Sequence, residues 1–161
     1  MDKMFSVPDS QAVADLDGAI AYIKGQSDSN GKVGAIGFCS GGRYTLVLGC
    51  MSTNLDAAVD SAGGFIIEDV TPQRPVNPID MIANLSCPLM ATFGEEDPNP
   101  SPDQAERLRQ ELDKHEKTYE LHMYRDAGHA FFADYRDSFR PGPAADMWHK
   151  GVLFYDKHLK S

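Results

Sequence analysis

The sequence has little of what marks membrane, nucleic-acid-binding or disulfide-bonded proteins. No stretch approaches the roughly 18 consecutive apolar residues that a bilayer-spanning helix needs. Its 15 Lys and Arg are outnumbered by 24 Asp and Glu and form no cluster, which argues against nucleic acid and membrane surfaces as partners. The first twenty residues contain no uninterrupted apolar run of the kind found in secretory signals, so we do not expect one, and three cysteines make a poor disulfide framework. We therefore expect a cytoplasmic protein.

The composition is that of an ordinary globular chain. Apolar residues make up 42% of the 161 residues, charged residues make up 24%, and the formal net charge is −9. At roughly 100–200 residues per domain, this length predicts a single domain over residues 1–161. We find no internal repeat and no linker-like segment in it.

Short apolar runs alternate with amphipathic stretches, which is typical of an α/β protein. The patterns predict helices over 10–24 and 43–51, then from 101 and from 143, and strands over 33–38, 55–61, 88–93 and 119–124. Residues 65–85 hold three prolines and predict a long surface excursion with one helical turn near 79–85. We expect about four mainly parallel strands with helices on both faces.

Two of the helix starts carry specific signals. Ser101, Pro102 and Gln104 predict a capping box, with serine at the N-cap, proline at the first helical position and glutamine at the third. For the first helix, Ser10 or Asp9 is the expected cap, and Gly25 is expected to end it.

The most specific motif is GFCSGG at residues 37–42, where a predicted strand meets a predicted helix. This spacing is typical of a nucleophile elbow, with Cys39 at the position of the nucleophile. The turn is tight, so we expect Gly37 and Gly41 to be required for lack of room for a Cβ atom. At the start of a helix, free N–H groups would favour a thiolate and a developing oxyanion.

An elbow needs a base and an acid, which in α/β-hydrolases follow the nucleophile in the order acid, then histidine. Asp97 follows the third predicted strand and His129 follows the fourth, so both fall at the same edge of a parallel sheet as Cys39. Three neighbouring carboxylates also lie in these loops, and we prefer Asp97 to them: Glu95, Glu96 and Asp126.

Each of these residues also has an ordinary structural explanation. Cys39 would then be a buried free cysteine in a glycine-rich turn, His129 a loop histidine and Asp97 a solvated carboxylate. Cys50 and Cys87 lack the elbow setting and are expected to be core thiols. No His, Cys, Asp or Glu cluster has metal-ligand spacing, and no glycine loop matches a phosphate-binding pattern, so we expect no metal and no cofactor.

The chain resembles the dienelactone hydrolase (carboxymethylenebutenolidase) family. The resemblance rests on GKVGAIGFCSGG at 31–42, FGEEDP at 93–98 and YRDAGHAFF at 124–132, and it extends into the last helix. It implies Cys39 as nucleophile, His129 as base and Asp97 as the residue that orients His129. It also implies the Ser40 backbone N–H as an oxyanion donor, with Gly37, Gly41 and Gly42 shaping the elbow. The implied activity is hydrolysis of a small ester or lactone through an acyl-enzyme, without a cofactor.

The chain departs from this pattern in its length. Five strands and two helices precede the nucleophile in the full fold, which takes roughly 85 residues, whereas here the nucleophile is residue 39. We expect a truncated α/β-hydrolase-like fold that lacks the loop supplying the second oxyanion N–H, together with a family glutamate near the cysteine.

A second departure concerns the substrate. The family's arginine four residues after the histidine, which helps to bind the dienelactone carboxylate, is Ala133 here. Arg136 and Arg140 lie nearby and are the candidates to replace it. Dienelactone itself is therefore not the expected substrate.

Truncation also predicts an open sheet edge. The strand at 33–38 would lie at this edge, covered either by residues 1–8 or by a second chain, and we expect a homodimer. The competing functional hypothesis is a hydrolase-like module that keeps the elbow but only binds a ligand or a partner. It also remains open that the chain is a piece of a longer gene product.

Overall fold

The computed structural model describes residues 6–160, which alternate between helices and strands. In chain order the defined elements are α1 Asp9–Lys24, β1 Gly34–Phe38, α2 Ser40–Met51, β2 Ala57–Ser61, a 3₁₀ helix Pro78–Asn84, β3 Leu89–Gly94, α3 Pro102–Lys114, β4 Tyr119–Tyr124 and α4 Pro141–Leu159. Each of the four predicted strands is present within two residues of its expected bounds. In this part of the chain, no helix is both long and apolar enough to cross a membrane.

The four strands form one parallel sheet in the order β1-β2-β3-β4. Alternate residues of β2 and β3 enter two separate cores, because successive side chains of a strand point to opposite faces. Ala58, Leu89 and Ala91 pack with α1, α2 and α3 on one face, whereas Val59 and Met90 pack with α4 on the other. The prediction of an α/β fold with helices on both faces is confirmed.

The ends of the helices differ from the prediction in places. The Ser101–Gln104 capping box is present in full, and the first turn of α3 begins at Pro102. The predicted N-cap of α1 was wrong, because the N-cap is Pro8 and no side chain caps the helix, whereas Gly25 ends the helix as predicted. Asp9 instead pairs with the buried guanidinium of Arg43, which leaves its carboxylate unable to cap the helix. The Asp9–Arg43 ion pair joins the start of α1 to α2.

Strand β1 lies at the edge of the sheet, as the length argument predicted. Among the described residues it pairs with β2 only, and its Ile36 and Phe38 side chains are 38% and 39% exposed. The neighbouring face of α4 is also uncovered, since Trp148 and Val152 are 55% and 44% exposed. The expectation that residues 1–8 cover this edge falls partly outside the described residues.

Candidate active site

Cys39 stands at the sharp turn between β1 and α2. Its φ of 56° and ψ of −123° lie in a region that non-glycine residues rarely adopt. Its N–H donates to the Ser61 carbonyl at 3.0 Å, which ties the turn to the end of β2. The side chain is exposed at the start of α2, whose first backbone N–H groups have no acceptor within the helix. This geometry is that of a nucleophile elbow.

The glycines around Cys39 differ in how much room a side chain would have at each position. A Cβ on Gly37 would lie 2.0 Å from the Gly41 carbonyl oxygen, so this position has no room for a side chain. A Cβ on Gly41 would meet nothing within 4 Å, so the expectation that Gly41 is required for lack of room was wrong. Gly42 is the second crowded position, because its Cβ would lie 2.3 Å from a carboxylate oxygen of Asp60.

The loops that carry Asp97 and His129 come together through close backbone packing. Gly94 ends β3 next to Ala127, and a Cβ on Gly94 would lie 2.1 Å from the Ala127 carbonyl oxygen. The N–H of Glu96 donates to that same carbonyl at 2.9 Å. Because β3 and β4 are parallel neighbours, these contacts place the two loops at one edge of the sheet.

Cys39, His129 and Asp97 form a continuous hydrogen-bonded chain. His129 Nε2 lies 3.0 Å from Cys39 Sγ, and His129 Nδ1 lies 2.9 Å from Asp97 Oδ2. The other carboxylate oxygen of Asp97 accepts the Asn99 N–H at 2.9 Å, and the Asp97 side chain is fully buried. The competing carboxylates do not bind His129 in this geometry and are exposed: Glu95, Glu96 and Asp126.

The hydrogen bond that His129 Nδ1–H donates to Asp97 raises the pKa of His129 from about 6.5 to about 9. Partial burial opposes this shift, and the hydrogen bond to Cys39 adds to it. A pKa above neutrality favours the protonated imidazole at neutral pH, in which both ring nitrogens are donors and the Nε2–H faces the Cys39 sulfur. An imidazolium in this position would stabilise a thiolate.

A cavity of about 460 Å³ opens in front of Cys39 and His129. Its walls are mainly apolar and include the ring of Phe38, which stacks on Phe132 at a centroid distance of 4.9 Å. Ser61 and Ala62 close the side next to β2. A space of this size and character suits a small, largely apolar molecule with a reactive carbonyl group.

The two candidate arginines have different environments. Arg136 lines the cavity, and its guanidinium lies 5.6 Å from the ring centre of Tyr135. Arg140 is held in the loop structure, since its guanidinium donates to the backbone carbonyls of Asp126, Asp137 and Phe139. Ala133 also lines the cavity, where it contributes no charge. Of the two arginines, only Arg136 faces the cavity within residues 6–160.

The sequence patterns missed the contribution of the end of β2. Ser61 binds the Cys39 backbone, Ala62 lines the cavity, and Asp60 packs behind the elbow. The signal available was the Gly63–Gly64 pair just after the strand, which marks close backbone packing.

In the part of the chain that the structure describes, no group of three or more His, Cys, Asp or Glu residues is arranged to hold a metal ion.

The parallel sheet, the elbow at the end of β1, and the histidine and acid at the ends of later strands define the class of the α/β-hydrolase fold. The profile of the dienelactone hydrolase family matches residues 1–159. The chain belongs to the dienelactone hydrolase family.

Individual relatives agree with this assignment. A protein of Methylorubrum extorquens named as a carboxymethylenebutenolidase is 36% identical over 143 residues, which cover 88% of this chain and 49% of the relative. A Bradyrhizobium protein named as a 2-oxo-3-(5-oxofuran-2-ylidene)propanoate lactonase is 30% identical, over 96% of this chain and 62% of its own length. A crystal structure described as a Klebsiella pneumoniae dienelactone hydrolase superposes with a TM-score of 0.90 at 31% identity, covering 95% of this chain and 63% of that one. This chain therefore spans about half to three-fifths of the length of these relatives.

Proposed function

We propose that this chain hydrolyses small ester or lactone substrates, with Cys39 as nucleophile, His129 as general acid and base, and Asp97 as the residue that orients His129. The observation that carries the proposal is the chain of contacts at 3.0 Å and 2.9 Å from Cys39 through His129 to Asp97, at the wall of an apolar cavity. The names given to the relatives, one of which is named as a lactonase, support the substrate class.

In the first half of the reaction, the Cys39 thiolate attacks the substrate carbonyl carbon and forms a C–S bond. The carbonyl oxygen becomes an oxyanion, which the Ser40 backbone N–H at the start of α2 would stabilise. The intermediate then collapses, the C–O bond to the leaving group breaks, and the imidazolium of His129 gives its proton to the leaving oxygen. The product is a thioester at Cys39, and in a lactone the leaving alcohol stays attached to the acyl group.

In the second half, neutral His129 takes a proton from a water molecule that attacks the thioester carbonyl. The C–S bond breaks, which releases the carboxylic acid product and regenerates the thiolate of Cys39 beside the imidazolium of His129. Asp97 holds the Nδ1–H of His129 throughout, so that Nε2 always faces the reacting atoms. No redox step and no cofactor is needed for this sequence.

The direct test is hydrolysis of p-nitrophenyl acyl esters by the chain and by its Cys39→Ala variant. We expect turnover that falls by at least about 10³-fold in Cys39→Ala, because the nucleophile is removed. A burst of p-nitrophenolate equal to the enzyme concentration would report the acyl-enzyme.

Cys87→Ala is the matched control, because it removes a buried thiol outside the cavity. It should keep both the turnover and the burst. Absence of turnover with every acyl chain length tried would contradict the proposed hydrolase.

The competing hypothesis is a module that binds a ligand or a partner without turnover. The exposure of Cys39 and its contact with a protonated His129 favour the hydrolase, because a reactive thiol needs both access and a neighbouring positive charge. Slow labelling of Cys39 by a thiol reagent at neutral pH would favour the binding module instead.

We also propose that a second copy of this chain covers the β1 edge. Two β1 strands can pair in antiparallel fashion about a twofold axis near Ile36, which would satisfy both open edges and cover both sets of exposed apolar side chains. A groove of about 680 Å³ beside α1 and β1, lined in part by Val7 and Leu16, lies at the same edge. Apolar surface is thus exposed on both faces of the sheet next to β1. A second copy that extends the sheet at β1 would cover both of these surfaces.

A further inference from the structure

A buried carboxyl group lies directly behind the elbow. Asp60 is fully buried in β2, between Gly37 of β1 and Ala91 of β3. Its Oδ1 accepts the Gly63 N–H at 2.8 Å, whereas its Oδ2 has no hydrogen-bond partner among the described residues. A buried polar atom without a hydrogen-bond partner lowers the stability of the fold, so packing alone does not explain a carboxyl group at this position.

The Asp60 carboxyl group fills a space that two glycines leave open. A Cβ on Gly42, in the first turn of α2, would lie 2.3 Å from Oδ1. A Cβ on Gly63 would lie 2.2 Å from Oδ1 and 2.6 Å from Oδ2. Asp60 is therefore packed tightly against both the elbow helix and the turn that follows β2.

That turn forms part of the wall of the active site. The Ser61 carbonyl accepts the Cys39 N–H at 3.0 Å, and both Ser61 and Ala62 line the cavity. Ala62 has a φ of 52°, and its N–H donates to the Thr92 carbonyl at 2.8 Å. The hydrogen bond between Asp60 and Gly63 lies at one end of the segment Ser61–Gly63, and the Ser61 carbonyl that binds the Cys39 N–H lies at the other end.

Asp60 has no ion-pair partner within residues 6–160. From α2, Gly42 packs against it, and the guanidinium of the next residue, Arg43, is bound by Asp9 and lies 3.8 Å from Glu68. In the sheet, Gly37 and Ala91 lie beside it, and Gly63 does so in the turn. The ionisable groups of the site, Cys39, His129 and Asp97, bind one another rather than Asp60. Burial raises the pKa of Asp60 to about 7, and the Gly63 N–H opposes the shift. The carboxyl group therefore changes charge near neutral pH.

We propose that Asp60 is a positioning residue whose protonation state sets how firmly the turn at Ser61–Gly63 holds Cys39. The ionised carboxylate accepts a charge-assisted hydrogen bond from Gly63, which is roughly twice as strong as a neutral one. Deprotonation therefore tightens the turn. The inference rests on the proposed function only in taking Cys39 as the reactive thiol.

The test measures the rate of Cys39 alkylation by iodoacetamide as a function of pH, in the unaltered chain and in Asp60→Asn. The asparagine keeps an oxygen acceptor for Gly63 but cannot ionise. A step in rate that comes from ionisation of Asp60 is therefore present in the unaltered chain and absent from Asp60→Asn. We expect the ratio of the two rates to change by about fivefold in a step centred near pH 7, because ionisation of Asp60 strengthens its hydrogen bond with the Gly63 N–H.

Asp80→Asn is the matched control, because it removes an exposed carboxylate and should give a ratio without a step. Cys39→Ala shows that the label is on Cys39. A flat ratio for Asp60→Asn with an unchanged circular dichroism spectrum would overturn the inference. Since alkylation needs no substrate turnover, this result is independent of whether the esters are hydrolysed.

A second measurement uses the unaltered chain alone and does not depend on the variant folding. The amide resonances of Gly63 and Cys39 should both shift with pH and share a midpoint near 7. If the Gly63 resonance does not titrate there, or if it titrates without a matching change at Cys39, the inference is wrong.

Discussion

At the scale of single residues, the site depends on the contact between Asp97 and His129. Asp97 is buried with its second oxygen held by Asn99, so its carboxylate is fixed when His129 binds to it. The raised pKa of His129 follows from this hydrogen bond first and from the contact with Cys39 second. A raised pKa in the folded state stabilises the fold fully below the unfolded value of about 6.5, and this contribution is lost as pH rises through about 9.

Asp97→Asn tests this account directly. We expect the pKa of His129, followed by NMR of its imidazole, to fall from about 9 towards about 6.5, because the charged partner is gone. Ester turnover should fall by about 10²–10⁴-fold, since His129 is no longer held in the productive tautomer. Glu96→Gln, an exposed neighbour, should leave both unchanged. An unshifted His129 titration in Asp97→Asn would show that another group raises the pKa.

At the scale of elements, the elbow is a contact between the end of β1 and the first turn of α2. Gly37 is packed against the Gly41 backbone with no room for a side chain, whereas Gly41 faces open space on the helix. The Asp9–Arg43 ion pair anchors α1 to the same helix. The position of α2 relative to the sheet is thus determined by backbone contacts on one side and a buried ion pair on the other.

The two glycines should respond in opposite ways to replacement by alanine. Gly37→Ala is expected to reduce the free energy of unfolding by more than about 3 kcal/mol, because its Cβ would overlap backbone atoms that cannot move aside. Gly41→Ala should change it by no more than about 1 kcal/mol and in the stabilising direction, since alanine favours the helix. Urea unfolding of both variants measures the difference. Equal losses would mean that the crowding at Gly37 is relieved by movement of the turn.

At the scale of the whole molecule, β1 is an edge strand of the sheet formed by residues 6–160. The exposed residues there form a surface that runs from β1 to α4: Ile36, Phe38, Trp148 and Val152. An open parallel edge with apolar residues on it favours association. The relatives are longer than this chain. Further residues of the kind present in those relatives are therefore the alternative to a second copy as the group that covers this surface.

Sedimentation velocity distinguishes a dimer of this chain from a monomer. We expect the chain to sediment as a dimer and Ile36→Lys to shift it to a monomer, because each copy would bring a charge to the paired edge. Val70→Lys, at an exposed apolar residue elsewhere, is the control and should leave the dimer intact. A concentration-independent monomer for the unaltered chain would contradict the proposed self-association.

Much of the fold follows from local patterns in the sequence. The four strands, the capping box at Ser101 and the turn at Cys39 all depend on residues close together in the chain. The cap of α1 could not be predicted in this way, because Asp9 is taken by Arg43, which lies 34 residues further along the chain. The orientation of α4 also depends on tertiary packing, since Met147 and Phe154 enter the core whereas Trp148 and Val152 remain exposed.

The sequence by itself determined which residues lie at the carboxyl ends of the strands, and therefore that Cys39, Asp97 and His129 meet at one edge of the sheet. Spacing along a chain carries this information because parallel strands all end at the same edge. Only the tertiary structure decided that Asp97 rather than its neighbours binds His129, that Arg136 rather than Arg140 faces the cavity, and that Asp60 lies behind the elbow. Hydrogen bonds, burial and the resulting pKa values depend on distances of a few ångströms between residues that are far apart in sequence, and only the packed fold sets those distances.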